Sequence, residues 1–158
     1  MAEPLDPTDL KILRILLSDG RASYAQIAKE TRLSDVAVRK RIEKLMARGI
    51  IRKITALVDR EKLGFRYTFF VEMRADPSEV YSIYKKLQDI PSILEVYVVA
   101  GEYPLIAKGI GEDVEELKKI IKEIGKIDGV LDVKTSVVLD GTEKELSIPS
   151  KIGQRVLR

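Results

Sequence analysis

Hydrophobic residues recur at helical spacing through the first third of the chain and at every second position after residue 65, which predicts two differently built regions. Asp6-Pro7-Thr8-Asp9 opens a first helix: Asp6 can accept from the free N–H groups, Pro7 suits the first helical position, and Asp9 suits the positive end of the dipole. Leu10, Leu13, Leu16 and Leu17 supply its apolar stripe, and Gly20 ends it. Ser23 and Gln26 have capping-box spacing for a short second helix that carries Ile27 and Ala28 and ends near Thr31. Ser34 caps a third helix, with Leu33 and Val38 placed as a hydrophobic staple and Gly49 closing it. The tight Thr31-Arg32-Leu33 connection makes the last two helices a helix-turn-helix.

On the third helix, an advance of about 100° per residue gathers Val38, Ile42, Leu45 and Met46 on one face, which must pack against the other two helices. Ala37, Lys40 and Lys44 point the opposite way, flanked by Val36, Arg41 and Arg48. Such a face suits a major groove, because small side chains permit close approach and long cations reach base edges or phosphates. Ser23 and Ser34, at the helix starts, join these residues as candidate DNA contacts. Ile50 to Asp59 reads as extended, with Arg52 and Lys53 placed to hold a wing or its strand against the DNA backbone.

From Arg66 the period becomes two: Tyr67, Phe69, Val71 and Met73 alternate with Thr68, Phe70, Glu72 and Arg74, which describes a strand. Asp76-Pro77-Ser78-Glu79 then caps a helix bearing Val80, Ile83, Tyr84 and Leu87. Strands from Ile93 to Val99 and from Leu105 to Ile110 flank Ala100-Gly101-Glu102-Tyr103-Pro104 as a hairpin. Asp113 and Glu116 start a second helix with Val114, Leu117, Ile120, Ile121 and Ile124, and a last strand runs from Val130 to Leu139. Strand, helix, strand, strand, helix, strand is the split βαββαβ pattern of a ferredoxin-like sandwich with both helices on one face. The other face carries Phe70, Val99 and Val138, and exposed apolar sheet surface marks an interface, so a homodimer is expected. The fold class is therefore α+β, an N-terminal winged helix-turn-helix followed by a C-terminal ferredoxin-like domain. The expected divisions are a DNA-binding domain over residues 1–52, a linking strand or hinge over 53–64, an oligomerisation domain over 65–140, and a tail over 141–158.

Charge sharpens this picture. The chain carries a formal +3, but residues 1–62 hold fourteen Lys or Arg against nine Asp or Glu, a net of +5. Between Arg21 and Lys53 ten cations face only Glu30, Asp35 and Glu43, a balance that suits a polyanion through counterion release. A solvated helix face is the bland reading of the same charges. Single-stranded nucleic acid fits less well than duplex, because Tyr24 is the only aromatic among residues 1–62 and stacking needs platforms. The absence of Cys and His removes disulfides, thiolate metal sites and the usual general base. No metal or cofactor site and no enzyme activity are expected. No apolar run is long enough to span a bilayer and no secretory signal pattern opens the chain, so a cytoplasmic protein without membrane contact is expected.

Leu5-Asp6 with Asp9 and Ile12-Leu13, then Asp19-Gly20-Arg21, then Leu33-Ser34 followed by Val38, Arg41, Ile42, Leu45 and Gly49-Ile50-Ile51, together resemble the Lrp/AsnC, or feast/famine, family of transcriptional regulators, across residues 5 to about 140. The resemblance implies a linking strand near Ile54 to Asp59 and makes the ferredoxin-like domain over 65–140 a ligand-sensing, or effector, domain as well as an oligomerisation domain. It also implies dimers assembled into octamers or related discs, and amino acids bound between the dimers. In that family the hairpin between the second and third strands carries a Gly-x-x-Asp signature beside the effector pocket. Here Gly101-Glu102-Tyr103-Pro104 keeps Gly101 and Tyr103, while Pro104 stands where the acidic residue is usual and Glu102 is its candidate substitute. Asp132, Lys134 and Ser136, on one side of the last strand, complete the candidate ligand set, although they also suit an ordinary polar face. Two alternatives stand beside the effector-modulated, sequence-specific regulator. One is an architectural DNA-binding protein without an effector. The other is an enzyme resembling the sirohaem decarboxylases, which share the two-domain architecture but are expected to need the histidine that this chain lacks.

Overall fold

A computed structural model of the protein describes residues 4–141, so the greater part of the tail expected over 141–158 lies outside the described residues. The described chain divides at Leu57 and Val58 into two compact units. The first contains α1 (Pro7–Ser18), α2 (Tyr24–Thr31) and α3 (Asp35–Ala47). Each helix starts on a side chain that satisfies an otherwise unpaired amide. Asp6 accepts from Asp9 N, Ser34 accepts from Ala37 N, and Ser23 and Gln26 form a reciprocal capping box. Arg32 adopts the left-handed conformation that ends α2 and allows the sharp turn into α3, and Gly49, at φ +69°, does the same after α3.

The core of this unit is Ile12, Ile27, Ala28, Val38, Ile42 and Leu45, with Leu5, Leu13, Leu16, Leu33 and Ile51 packed around it. Two details differ from the sequence expectation. The buried stripe of α1 runs through Ile12, which is fully buried, while Leu17 is 40% exposed; strict helical spacing from Leu5 selects Asp9, Ile12 and Leu16, not Leu17. Met46 is 44% exposed and rims a shallow apolar depression with Leu16, Tyr24 and Ile54 instead of entering the core. Residues 50–59, expected to be extended and to supply a wing or linking strand, form no paired strand among the described residues. A strand needs a neighbour to take its backbone hydrogen bonds, and none is paired with this segment among the described residues.

In the second unit Asp59 and the turn Arg60–Phe65 lead into β1 (Tyr67–Ala75), α4 (Val80–Gln88), β2 (Ile93–Val98), β3 (Leu105–Gly111), α5 (Val114–Ile124) and β4 (Val130–Val137). The sheet order is β2-β3-β1-β4 with every pair antiparallel, the arrangement that a split βαββαβ chain produces. Phe69, Val71, Met73 and Ala75 on β1 and Leu105 and Ala107 on β3 face Val80, Ile83 and Leu87 of α4 and Leu117, Ile120 and Ile124 of α5 in one core. Gly109 makes room for the Phe69 ring, whose nearest carbon lies 2.4 Å from where a Cβ would stand. Asp113 caps α5 as expected, accepting from Glu116 N at 2.7 Å. Asp76 does not cap α4. It binds Ser78 N and Oγ in the preceding turn, and Glu79 occupies the cap position without a side-chain bond, because the turn spends three residues before the helix begins.

Candidate nucleic-acid interface and effector site

The outward side of α3 follows directly from its inward side. Val38, Ile42 and Leu45 are buried to 4% exposure or less, which turns Val36, Lys40 and Lys44 to the surface; Val36 is 58% exposed. Ala37 and Arg48 are half-buried, and Arg48 occupies the C-cap position. Helical spacing also puts exposed Ala47 between Val36 and Lys40, a small residue on this surface that the sequence reading omitted. The resulting strip is small at Ala37, Val36 and Ala47 and cationic at Lys40 and Lys44, so a backbone-scale surface can approach it while the long side chains reach past. Ser23 and Ser34 are exposed, and their oxygens accept at 3.2 Å from Gln26 N and Ala37 N. A hydroxyl that accepts keeps its own hydrogen to donate, so capping and phosphate contact are compatible. Arg52 and Lys53 are exposed in the segment after Gly49.

Arg41 corrects the sequence expectation. Instead of flanking the outward strip, its Nη1 donates to Asp6 Oδ2 at 2.5 Å and to Asp9 Oδ1 at 2.7 Å, back at the start of α1. The cause is burial: Asp9 is 8% exposed, and a buried carboxylate is retained only where a cation and hydrogen bonds meet it. Burial alone would raise the Asp6 carboxyl, but the Asp9 amide and the Arg41 guanidinium outweigh it and hold the group below its ordinary range. The same two carboxylates push Arg41 further up.

In the second unit the β2–β3 hairpin brings its tip to β4. Tyr103 Oη donates to Asp132 Oδ2 at 2.6 Å, and Lys134 Nζ sits 3.9 Å from the centre of the Tyr103 ring. The Tyr103 hydrogen bond, ahead of the Val133 amide, holds Asp132 below the ordinary aspartate range, and the same bond raises Tyr103. Arg74 and Glu72 stand opposite Asp132 and Lys134 in the β1–β4 register, so charges alternate in sign across this end of the outer sheet face. Ser136 shares that face but pairs with Phe70, further along the strand. Gly101 and Glu102 are exposed at the tip, and the Pro104 carbonyl accepts from Val99 N at 2.8 Å to close the hairpin. On the same outer face Phe70 of β1 is 39% exposed and Tyr97, on the edge strand β2, is 51% exposed, whereas Val99 and Val138, expected at outward positions, are half-buried. Lys108, 18% exposed, pairs with Glu95 at 3.5 Å, and Tyr97 donates to the same carboxylate.

Residues 5–52 match a winged helix-turn-helix DNA-binding domain, and residues 68–147 match the Lrp/AsnC ligand binding domain. The chain belongs to the Lrp/AsnC family of transcriptional regulators. Among its Lrp/AsnC relatives, the HTH-type transcriptional regulator FL11 of Pyrococcus horikoshii is 34% identical over 151 residues, which cover 96% of this chain and 100% of that protein. The regulator Ptr1 of Methanocaldococcus jannaschii is 35% identical over 136 residues, covering 85% and 92%. AsnC of E. coli superposes with a TM-score of 0.86 at 25% identity, covering 92% of this chain and 99% of that one. A transcriptional regulator of Neisseria meningitidis, solved as a complex with L-Met, shares the fold at a TM-score of 0.84 and 23% identity, covering 92% and 96%. The family consists of DNA-binding regulators, not enzymes, and the mixed α+β architecture is the Lrp/AsnC one. No helix among the described residues is long and apolar enough to cross a membrane.

Proposed function

We propose that this Lrp/AsnC regulator reads duplex DNA with the outward face of α3 and that an amino acid bound by its C-terminal domains modulates its assembly or its DNA affinity. The observation that carries the first part is the burial of Val38, Ile42 and Leu45, which fixes α3 with Lys40, Lys44, Val36 and Ala37 outward. Lys40 and Lys44 reach phosphates or base edges, Ser23, Ser34, Arg48, Arg52 and Lys53 hold the flanking backbone, and the small residues admit the groove wall. Phe70 and Tyr97 on the outer face of the sheet support association with a second copy. A two-fold dimer matches a palindromic operator, and dimers stack into larger assemblies.

The second part is supported by the match of residues 68–147 to a ligand binding domain and by the convergence of Tyr103, Asp132 and Lys134 beside the hairpin tip. In this reading Asp132 meets the ammonium of the effector, Lys134 meets its carboxylate, and Gly101, Glu102, Pro104 and Ser136 frame the rest. The protein acts where its DNA is, in the cytoplasm. Two experiments test the proposal. Selection from a randomised duplex pool should enrich a two-fold sequence, and no enrichment would favour broad, architectural binding. A thermal-shift screen of the twenty amino acids should single out one or a few, and a flat response would remove the effector.

A further inference from the structure

We propose that Arg41 is the positioning residue of the recognition helix: its bridge to Asp6 and Asp9 sets the orientation of α3 for sequence reading, and it makes no contact with DNA. This rests on the reading that the outward face of α3 binds duplex.

Arg41 lies on the seam of α3. At about 100° per residue, Val38, Leu45 and Ile42 fall to one side of it, toward the core, and Ala37, Lys44 and Lys40 fall to the other. The core contacts of α3 are aliphatic and set its distance from the other helices. Ridges-into-grooves packing of apolar side chains admits crossing angles that scatter by about 15–20° around their preferred values, so aliphatic contacts alone set the tilt of α3 only within that range. Over the 13 residues of α3, about 20 Å at 1.5 Å per residue, a tilt of that size about the middle carries each end by roughly 3 Å, enough to break a base-edge hydrogen bond, whose donor and acceptor must lie within about 3.2 Å. A directional contact at the seam removes this latitude, and Arg41 supplies one: two charge-assisted bonds at 2.5 and 2.7 Å to carboxylates 35 and 32 residues away.

The anchor is itself fixed. Asp6 spends one oxygen, Oδ1, on the Asp9 amide as the cap of α1 and the other on Arg41, so the start of α1 and the middle of α3 share one carboxylate. Asp9 is the one buried charged residue among the described residues. Two carboxylates around one guanidinium leave the cluster formally negative, which gives it no attraction of its own for a phosphate backbone.

The test uses the full-length protein and two probes: a duplex enriched by the wild type from a randomised pool, and a scrambled duplex of equal length. Arg41→Met alone strands Asp9 in the interior, so the informative variant is Arg41→Met with Asp9→Leu. Replacing a buried ion pair by apolar groups of similar size is commonly neutral for stability, and this variant leaves the Asp6 cap in place. Arg41→Lys is the second variant, since it keeps the charge but replaces the rigid guanidinium, whose Nη1 bridges both carboxylates, by a compact, strongly hydrated ammonium on a flexible stem. For each, melting temperature, affinity and the slope of log affinity against log salt are measured. The double variant should melt near the wild type and lose at least tenfold affinity for the enriched duplex. Its affinity for the scrambled duplex should stay within about twofold and its salt slope should not change; Arg41→Lys should fall between it and the wild type. Wild-type affinity for the enriched duplex in the double variant would reduce Arg41 to a fold-stabilising role and overturn the proposal. Equal loss on both duplexes, with a slope smaller by about 0.9, would make Arg41 a phosphate contact and overturn it as well. Failure of the underlying reading has a different signature: Lys44→Ala would then leave both duplexes and the slope unchanged.

Discussion

Tyr103 donates to Asp132 at 2.6 Å and so ties the tip of the β2–β3 hairpin to strand β4, 29 residues further along the chain. That bond is the leading reason the Asp132 carboxyl stays ionised below its ordinary range. Tyr103→Phe should therefore return Asp132 toward ordinary aspartate behaviour. Carbon-detected NMR titration of the side-chain carboxyl is the check, and an unmoved midpoint would assign the shift to the Val133 amide and Arg74 instead.

The charge on Asp6 should set the acid limit of the helical unit. Its folded-state pKa lies below the unfolded value, because the Asp9 amide and Arg41 outweigh burial. A carboxyl depressed in this way contributes stability that is present above its unfolded value of about 4 and is lost as pH falls through the lower folded value. Thermal melting of the helical unit should thus be flat from about pH 5 to 8 and fall below about pH 4. Asp6→Asn keeps a good helix cap but removes the charge, so its melting should depend less on pH in the acid range. A variant as acid-sensitive as the wild type would place the acid limit elsewhere.

Two neighbours on α3 should respond differently to truncation. Leu45, 1% exposed, lies in the core, and Leu45→Ala should cost about 2–5 kcal/mol through lost burial and the cavity left behind. Met46 is 44% exposed, so Met46→Ala should cost less than about 1 kcal/mol. Urea denaturation followed by helical circular dichroism measures both, and equal costs would contradict the observed packing of α3.

The caps and the period change were legible in the sequence because they are local. Ser23 and Gln26 form the expected box, and Ser34 and Asp113 take the expected cap positions, since each needs partners only three residues away. The order of elements also predicted the sheet, as a chain of this pattern closes in few ways. What the sequence concealed was long-range. Arg41 has the spacing of a cation at the edge of the outward strip, and only the fold brings it to Asp6 and Asp9. A signal was nevertheless present: Asp9 falls four residues after Leu5 and three before Ile12, on the buried stripe, where an acid requires a cation. Leu17 was assigned to the core of α1 by residue type, where spacing favoured Ile12. Residues 50–59 have the composition of a strand, but pairing depends on a neighbour that composition does not reveal. In the candidate effector set, the strand register aligns Arg74 with Asp132 and Glu72 with Lys134, whereas the fold of Tyr103 onto Asp132 depends on hairpin geometry.

The most direct measurement is the salt dependence of duplex affinity for Lys40→Ala and Lys44→Ala against the wild type, with sedimentation to confirm that the assembly is unchanged. If the outward face of α3 lies on DNA, each substitution should weaken binding, and each that removes a phosphate contact should lower the slope of log affinity against log salt by about 0.9. Affinity and slope identical to the wild type at low and moderate salt, in both variants, would contradict the assignment of α3 as the DNA-reading helix.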